Sequence, residues 1–382
     1  MNAYERIEAA VKLKPTPNGE VPVAPLIITF TARLAGMKQA QIFSSVKAWR
    51  EAVDLAVERI GAPDMGFALW PRDVPFSEGL RHKLPGRELG DDELFQLIEE
   101  EVMQRDDYER ILSVGYNRWS MDYFVSLQPD LPAGRRGRGI VTFQFIQMAL
   151  RIRGNAARLG RHGIPPAFYS GGYPPFDFFS LARSINKFSL DLYDCPELVQ
   201  KACEASLDPI LATMMQPLRA TNGKRVCIYP MRCSATFISP KMFEKMSLEH
   251  LKRMVEFFVN KGITPILHCD ADWNPLLPYF REFPRGSCIL ELDDDTDIFK
   301  AKEILGDWMC LKGNVPAYML AFGETGEVEA YCERLIREIG RGGGFILGSG
   351  CEVPLNAKVE NVEAMIRVAR GWGGVRSPSP AH

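Results

Sequence analysis

The residues equipped for chemistry stand where apolar runs end. One run closes as Pro265-Ile266-Leu267-His268-Cys269-Asp270-Ala271-Asp272, and the next as Cys288-Ile289-Leu290-Glu291-Leu292-Asp293-Asp294-Asp295. Leu311-Lys312-Gly313-Asn314-Val315-Pro316 and Phe345-Ile346-Leu347-Gly348-Ser349-Gly350-Cys351-Glu352 follow the same plan. Imidazole, thiol and carboxylate are metal ligands. A carboxylic acid held near a reacting group is also a proton donor. A lone histidine is otherwise a hydrogen-bonded core residue, and a lone cysteine packs as a small hydrophobe. Its place at a strand end raises His268 above that reading; for Cys351 taken alone, packing is the stronger one.

Those ends need a scaffold. Apolar runs predict strands at 21–28, 65–70, 139–144, 166–169, 225–230, 264–269, 287–292, 308–312 and 344–349. Helical spacing predicts helices at 4–13, 38–61, 241–260, 296–305 and 325–340. Near-continuous apolar strands alternating with helices mean a parallel sheet covered by helices. That many strands in one uninterrupted chain predict an α/β fold of the (β/α)8 TIM-barrel type, with an N-terminal extension and insertions. The expectation is one domain over 1–382, with a disordered tail at 375–382. A barrel places its chemistry at the C-terminal ends of its strands, which is where the residues above fall.

The chain has 382 residues and a net charge of −2. That balance gives no electrostatic case for nucleic acid or an anionic membrane. Its nine cysteines lack paired spacing, and the N-terminus has no apolar signal segment. Reduced thiols and a cytoplasmic location are expected. Cys195, Cys203, Cys227, Cys233, Cys269, Cys288, Cys310 and Cys332 are read as packing residues. The polar stretch containing Leu84-Pro85-Gly86-Arg87-Glu88-Leu89 is too rich in Pro and Gly for a core element. Arg135-Arg136-Gly137-Arg138 reads as a solvated loop, with docking of an acidic partner as the sharper alternative. Gly342-Gly343-Gly344 precedes a strand and reads as a tight turn rather than a phosphate cradle. Asp295 or Thr296 is the expected N-cap of the helix that follows.

Several segments together resemble the uroporphyrinogen-decarboxylase-like superfamily, in its corrinoid-dependent methyltransferase and O-demethylase branch. They are Glu5-Arg6-Ile7 with Val21-Pro22-Val23-Ala24-Pro25, then Phe237-Ile238-Ser239-Pro240, Gly313-Asn314-Val315, and Gly342 to Leu347 with Cys351. Asn361-Val362 with Ala364-Met365, and Leu84 to Leu89 with Asp107-Tyr108, complete the set. The resemblance implies a zinc site of the form His-x-Cys plus a lone cysteine on the last strand. This chain matches it at His268 and Cys351 but carries Asp270 where a cysteine is usual. Side chains alternate along a strand. His268 and Asp270 therefore share a face that Cys269 does not, and Leu347, Ser349 and Cys351 are expected to share one too. The expected metal ligands are His268, Asp270 and Cys351.

The resemblance further implies methyl transfer between a small molecule and the Co(I) corrinoid (cobalamin) of a partner protein. A carboxylate in place of a thiolate makes the zinc site harder, which suits a methyl ether or another oxygen-bearing substrate. Asp293, Asp272 and Glu352 are the candidates for the acid. Asn314 and Tyr173 are expected to contact the cofactor. Tyr173 belongs to an aromatic cluster, Phe168-Tyr169 and Tyr173 to Phe179, which reads as a substrate wall or as a buried insertion. Porphyrinogen decarboxylation is the alternative activity. Phe30-Thr31-Ala32-Arg33-Leu34-Ala35-Gly36 offers one arginine where that chemistry uses several. A non-catalytic barrel that binds a corrinoid protein is the other alternative. Oligomeric state is open, with a homodimer among the options.

Overall fold

The computed structural model describes residues 1–372; the tail expected at 375–382 lies outside them. Six parallel strands pair in chain order. They are β1 (Gly171–Gly172), β2 (Arg225–Ile228), β3 (Thr264–Cys269), β4 (Ile289–Leu292), β5 (Cys310–Val315) and β6 (Phe345–Ser349). Helices Pro175–Arg183, Ile185–Asp194 and Pro196–Thr221 connect β1 to β2. Helix Glu249–Val259 precedes β3, Ile298–Leu305 precedes β5, and Thr325–Glu338 precedes β6.

Two further segments close the sheet into a barrel. Leu347 N–H donates to the Pro22 carbonyl at 2.8 Å, and Ala24 N–H to the Leu347 carbonyl at 2.7 Å. Asp64 N–H then reaches the Val23 carbonyl at 2.7 Å, and Gly66 N–H the Pro165 carbonyl at 3.0 Å. Ala167 N–H bonds the Gly66 carbonyl at 2.7 Å, and Tyr169 N–H bonds the Arg225 carbonyl at 3.1 Å, which returns the ring to β2. These staves make isolated bridges rather than long ladders. Pro22, Pro25, Pro165 and Pro166 lie in them, and proline removes a donor from the ladder.

Alternation sorts the side chains into two cores. Cys227, Ile266, Ile289, Cys310 and Ile346 join Ala24 and Met65 inside the barrel. Leu267, Cys269, Leu290, Leu292, Leu311 and Leu347 point outward into the layer of helices. Cys269 is thus fully buried on the face away from His268.

Several elements differ from the sequence expectation. Residues 139–144 lie inside a long helix, Gly134–Arg161. The β-branched run suggests a strand locally, but Val141, Ile152 and Leu159 are buried at helical spacing, and one-sided burial decides the outcome. Arg135 to Arg138 open that same helix, and Arg138 pairs with Asp122 at 2.7 Å. The helix expected over 38–61 is two, Gln39–Ser44 and Val46–Ile60, with the Ser45 side chain capping the second. Asp297, rather than Asp295 or Thr296, is the N-cap of Ile298–Leu305. The stretch around Leu84 to Leu89 lies between the two strands of a small antiparallel hairpin, Arg81–Lys83 and Gln96–Ile98. No helix of the described residues is long and apolar enough to cross a membrane.

One buried carboxylate ties the N-terminal staves to both ends of the described chain. Asp64 accepts from Val23 N–H at 2.8 Å, from Arg6 Nη2 at 2.6 Å and from Arg370 Nη1 at 3.0 Å. Its replacement removes the buried acceptor shared by Val23 N–H and both arginines, leaving Arg6 only the longer ion pair with Glu20 at 3.7 Å. Asp64→Ala is expected to lower unfolding stability by about 3 kcal/mol, read from the urea midpoint. A shift near zero would show that the cluster does not hold the barrel closed.

Candidate metal centre

His268, Asp270 and Cys351 meet at the mouth of the barrel, with one donor atom from each lying within 4.8 Å of the others. His268 Nε2 stands 3.3 Å from Asp270 Oδ1 and 3.7 Å from Cys351 Sγ. Cys351 Sγ is 3.9 Å from Asp270 Oδ2. Tetrahedral zinc with bonds of about 2.0–2.3 Å sets its ligands about 3.3 Å apart for an N/O pair and about 3.6 Å apart when one is sulfur. The triangle is already near that size. Asp270 Oδ1 is buried and accepts no hydrogen bond; its charged neighbour is His268 Nε2 at 3.3 Å, and a bound cation would satisfy both atoms. The donor set and the orphaned oxygen both fit a zinc ion held by three protein ligands, with a fourth position left for another ligand.

The histidine is aimed from behind. Register places His268 beside Glu291 on β4, and Glu291 beside Lys312 on β5. His268 Nδ1 lies 3.4 Å from Glu291 Oε2, and Lys312 Nζ pairs with Glu291 Oε1. All three side chains are buried. Burial alone pushes the Glu291 carboxyl up, but Lys312 and His268 outweigh it and hold it down at about 2. Burial likewise opposes charge on His268, yet Asp270 and Glu291 raise it well above its ordinary value. A carboxylate that accepts from Nδ1 leaves Nε2 facing the site, the usual orienting partner of a metal-bound histidine. Gly348 makes room for this row: a Cβ there would stand 3.3 Å from Lys312 Nζ.

The aspartate is delivered by a strained turn. Ala271 has φ of 72°, a left-handed conformation uncommon for a residue with a Cβ. Asp293 Oδ2 accepts from Ala271 N–H at 2.6 Å, and Thr296 Oγ1 donates to the Ala271 carbonyl at 2.8 Å. Cys351 arrives differently from the expected alternation. Leu347 belongs to the outer core and Ile346 to the inner one, so the parity of Leu347, Ser349 and Cys351 is outward. The strand ends at Ser349, and bends at Gly350 and Cys351 turn the thiol back over the mouth. Ser349 Oγ fixes that bend by donating to the Cys351 carbonyl at 2.6 Å and accepting from Leu26 N–H at 3.0 Å.

The expected acids are engaged in structure. Glu352 Oε1 accepts from Thr29 N–H at 2.7 Å and Thr29 Oγ1 at 2.5 Å. Asp272 Oδ1 accepts from the backbone and side chain of Asn274, both at 2.8 Å. Asp293 also accepts from Asp295 N–H at 3.1 Å; burial pushes its carboxyl up to about 6. Asn314 donates to the Asp293 carbonyl at 3.2 Å and accepts from Tyr331 Oη at 2.8 Å. Tyr173 is buried against Tyr229, ring centroids 5.4 Å apart. Tyr229 in turn lies 6.0 Å from His268 and 6.4 Å from Phe168, and Phe67 lies 5.6 Å beyond. One wall beside the cluster is therefore aromatic. Sequence reasoning missed Glu291, Lys312 and Tyr229. The signal was present for the first two, because a charge inside an apolar strand must find a partner.

Lys312→Met tests the row. The depressed Glu291 carboxyl contributes stability that is fully present above the ordinary value of 4.5 and is lost as pH falls towards about 2. Without Lys312 that loss moves to higher pH. The acid-unfolding midpoint by circular dichroism is expected to rise, and zinc affinity to fall by about 10–100-fold. An unchanged midpoint would contradict the row.

The comparisons with known proteins agree with this architecture. A methyltransferase from Methanosarcina mazei superposes with a TM-score of 0.68 at 16% identity, over 97% of this chain and 99% of that one. At such identity the likeness is one of fold. No curated protein sequence matches the chain. The family model described as uroporphyrinogen decarboxylase (URO-D) matches residues 172–372, which run from the end of β1 through the closing helix and contain all three clustered residues. The chain belongs to the uroporphyrinogen decarboxylase family.

Proposed function

We propose that this protein is a zinc-dependent methyltransferase that moves a methyl group between an oxygen-bearing small molecule, such as a methyl ether, and the Co(I) corrinoid of a partner protein. The observation that carries the reading is the triangle of His268, Asp270 and Cys351, with zinc-sized separations and an orphaned buried oxygen. A decarboxylase of this fold has no need of such a cluster, and a scaffold has no need to bury an unpaired carboxylate oxygen beside a thiol. The methyltransferase of similar fold supports the same reading.

The three ligands would hold zinc, which when bound supplies a Lewis acid for the substrate oxygen. Everything else is work of the chain. Glu291 and Lys312 orient His268, and Asp293 and Thr296 hold the turn that presents Asp270. Tyr229, Tyr173, Phe168 and Phe67 form an apolar wall that excludes water from one side and favours a flat or apolar methyl donor. Asn314, engaged with Asp293 and Tyr331, positions the rim that a corrinoid protein would meet. The unit that acts is the whole barrel, taken as one domain.

The purified protein is expected to carry about one zinc per chain by plasma emission analysis. His268→Ala and Cys351→Ala are each expected to lose it while remaining folded. The wild type should methylate a reduced corrinoid from a methyl ether, and both variants should fail. A folded, active wild type without metal would sink the zinc mechanism. A metal retained in both variants would place it elsewhere.

A further inference from the structure

The long helix Gly134–Arg161 keeps one face against the protein and leaves the other bare. Gly137, Val141, Ile152, Asn155 and Leu159 are buried. Arg151 pairs with Asp73 at 2.6 Å, and Asn155 Nδ2 donates to the Ala68 carbonyl at 2.8 Å. Ala68 follows Gly66 in its stave, and Asp73 lies just beyond the C-terminal end of that stave. Nearer the helix N-terminus, Phe145 packs against Phe76 and Phe124, ring centroids 4.9 and 5.2 Å away. The helix therefore starts on the mouth side and descends along the barrel.

The bare face carries a pattern. Phe143, Ile146, Leu150, Arg153 and Ala157 follow at alternating steps of three and four, Arg136 stands one heptad before Phe143, and all are exposed. A stripe of that period is the seam that a second helix covers in a left-handed pairing. Its apolar members are 57%, 52% and 62% exposed. A surface helix ordinarily turns polar side chains to solvent, and contiguous exposed apolar surface marks an interaction site.

Charge says what covers it. The helix holds seven arginines and no Asp or Glu. Arg138, Arg151 and Arg158 are paired with Asp122, Asp73 and Asp54. Arg135, Arg136, Arg153 and Arg161 make no ion pair among the described residues. Free guanidinium groups thus bracket the apolar patch. A second copy fits this charge badly. Laid antiparallel with Ile146 against Leu150, it sets Arg135 against Arg161 at both ends. Laid parallel, it sets each arginine against its own counterpart. Like charges so placed repel. A helix with an apolar middle and carboxylates at both ends meets the same face with attraction instead.

We propose that this face docks an acidic amphipathic helix of another protein. Phe143, Ile146 and Leu150 hold it in a coiled-coil pairing, and Arg136 and Arg153 fix its register through its carboxylates. Docking there seats the partner on the mouth side of the barrel. The surface is independent of the metal centre and needs neither zinc nor methyl transfer.

The test uses the full chain and two fluorescein-labelled synthetic helical peptides of about 25 residues, long enough to span the seam. Both carry leucine at the central seam positions; one has glutamate at its ends, the other lysine. Fluorescence anisotropy should show binding of the glutamate peptide, weakened by salt, and none of the lysine peptide. Phe143→Asp with Ile146→Asp should lower that affinity by about 30-fold or more. The far-ultraviolet circular dichroism should be unchanged, because both side chains face solvent. Arg136→Glu with Arg153→Glu should exchange the preference, so that the lysine peptide binds, a gain that misfolding cannot produce. No binding to the wild type, equal binding of the two peptides, or unchanged affinity in the aspartate variant would overturn the proposal. Self-association of the wild type that Ile146→Asp abolishes, read by sedimentation, would also overturn it by making a second copy the occupant.

Discussion

A histidine, a glutamate and a lysine lie side by side across three neighbouring strands, sealed inside the barrel above a layer of isoleucine and cysteine. Charges in such a place are tolerated only when each is met by another. That constraint orders the rest. Lys312 must lie inside to balance Glu291, and a Cβ at Gly348 would crowd its ammonium. Glu291 must face His268 Nδ1, so Nε2 must face the mouth. The parallel register makes the arrangement rigid, since a one-residue slip of any strand would turn its member of the row outward.

Above this row the geometry is set by turns rather than strands. Ala271 takes a left-handed conformation because Asp293 and Thr296 grip both sides of its peptide. Strain of this kind costs about 1–3 kcal/mol and persists only where surroundings over-determine it. Here it swings Asp270 over His268. The bend after Ser349 does the same for Cys351. The cluster of His268, Asp270 and Cys351 is therefore preformed by backbone devices at two strand ends, with a buried ion row beneath that fixes the imidazole.

Much of this was legible in the sequence. Continuous apolar runs ending in polar residues located β2 to β6 and the closing staves, and a period of two separated His268 and Asp270 from Cys269. The same rule misjudged Cys351, because a rule of alternation ends where the strand ends. The 139–144 run misled because β-branched residues were read without the longer stripe of Val141, Ile152 and Leu159. Glu291 and Lys312 were visible as charges within apolar strands, but their pairing depends on register, which no local pattern contains.

The central claim is that one imidazole, one carboxylate and one thiolate make the metal site. X-ray absorption at the zinc edge of the purified, zinc-loaded protein reads this directly. The account predicts a first shell with one sulfur at about 2.3 Å and the remaining ligands N or O at about 2.0–2.1 Å, unchanged in Cys269→Ala. Two sulfur ligands, one of them lost in Cys269→Ala, would contradict it and put the outward cysteine back among the ligands.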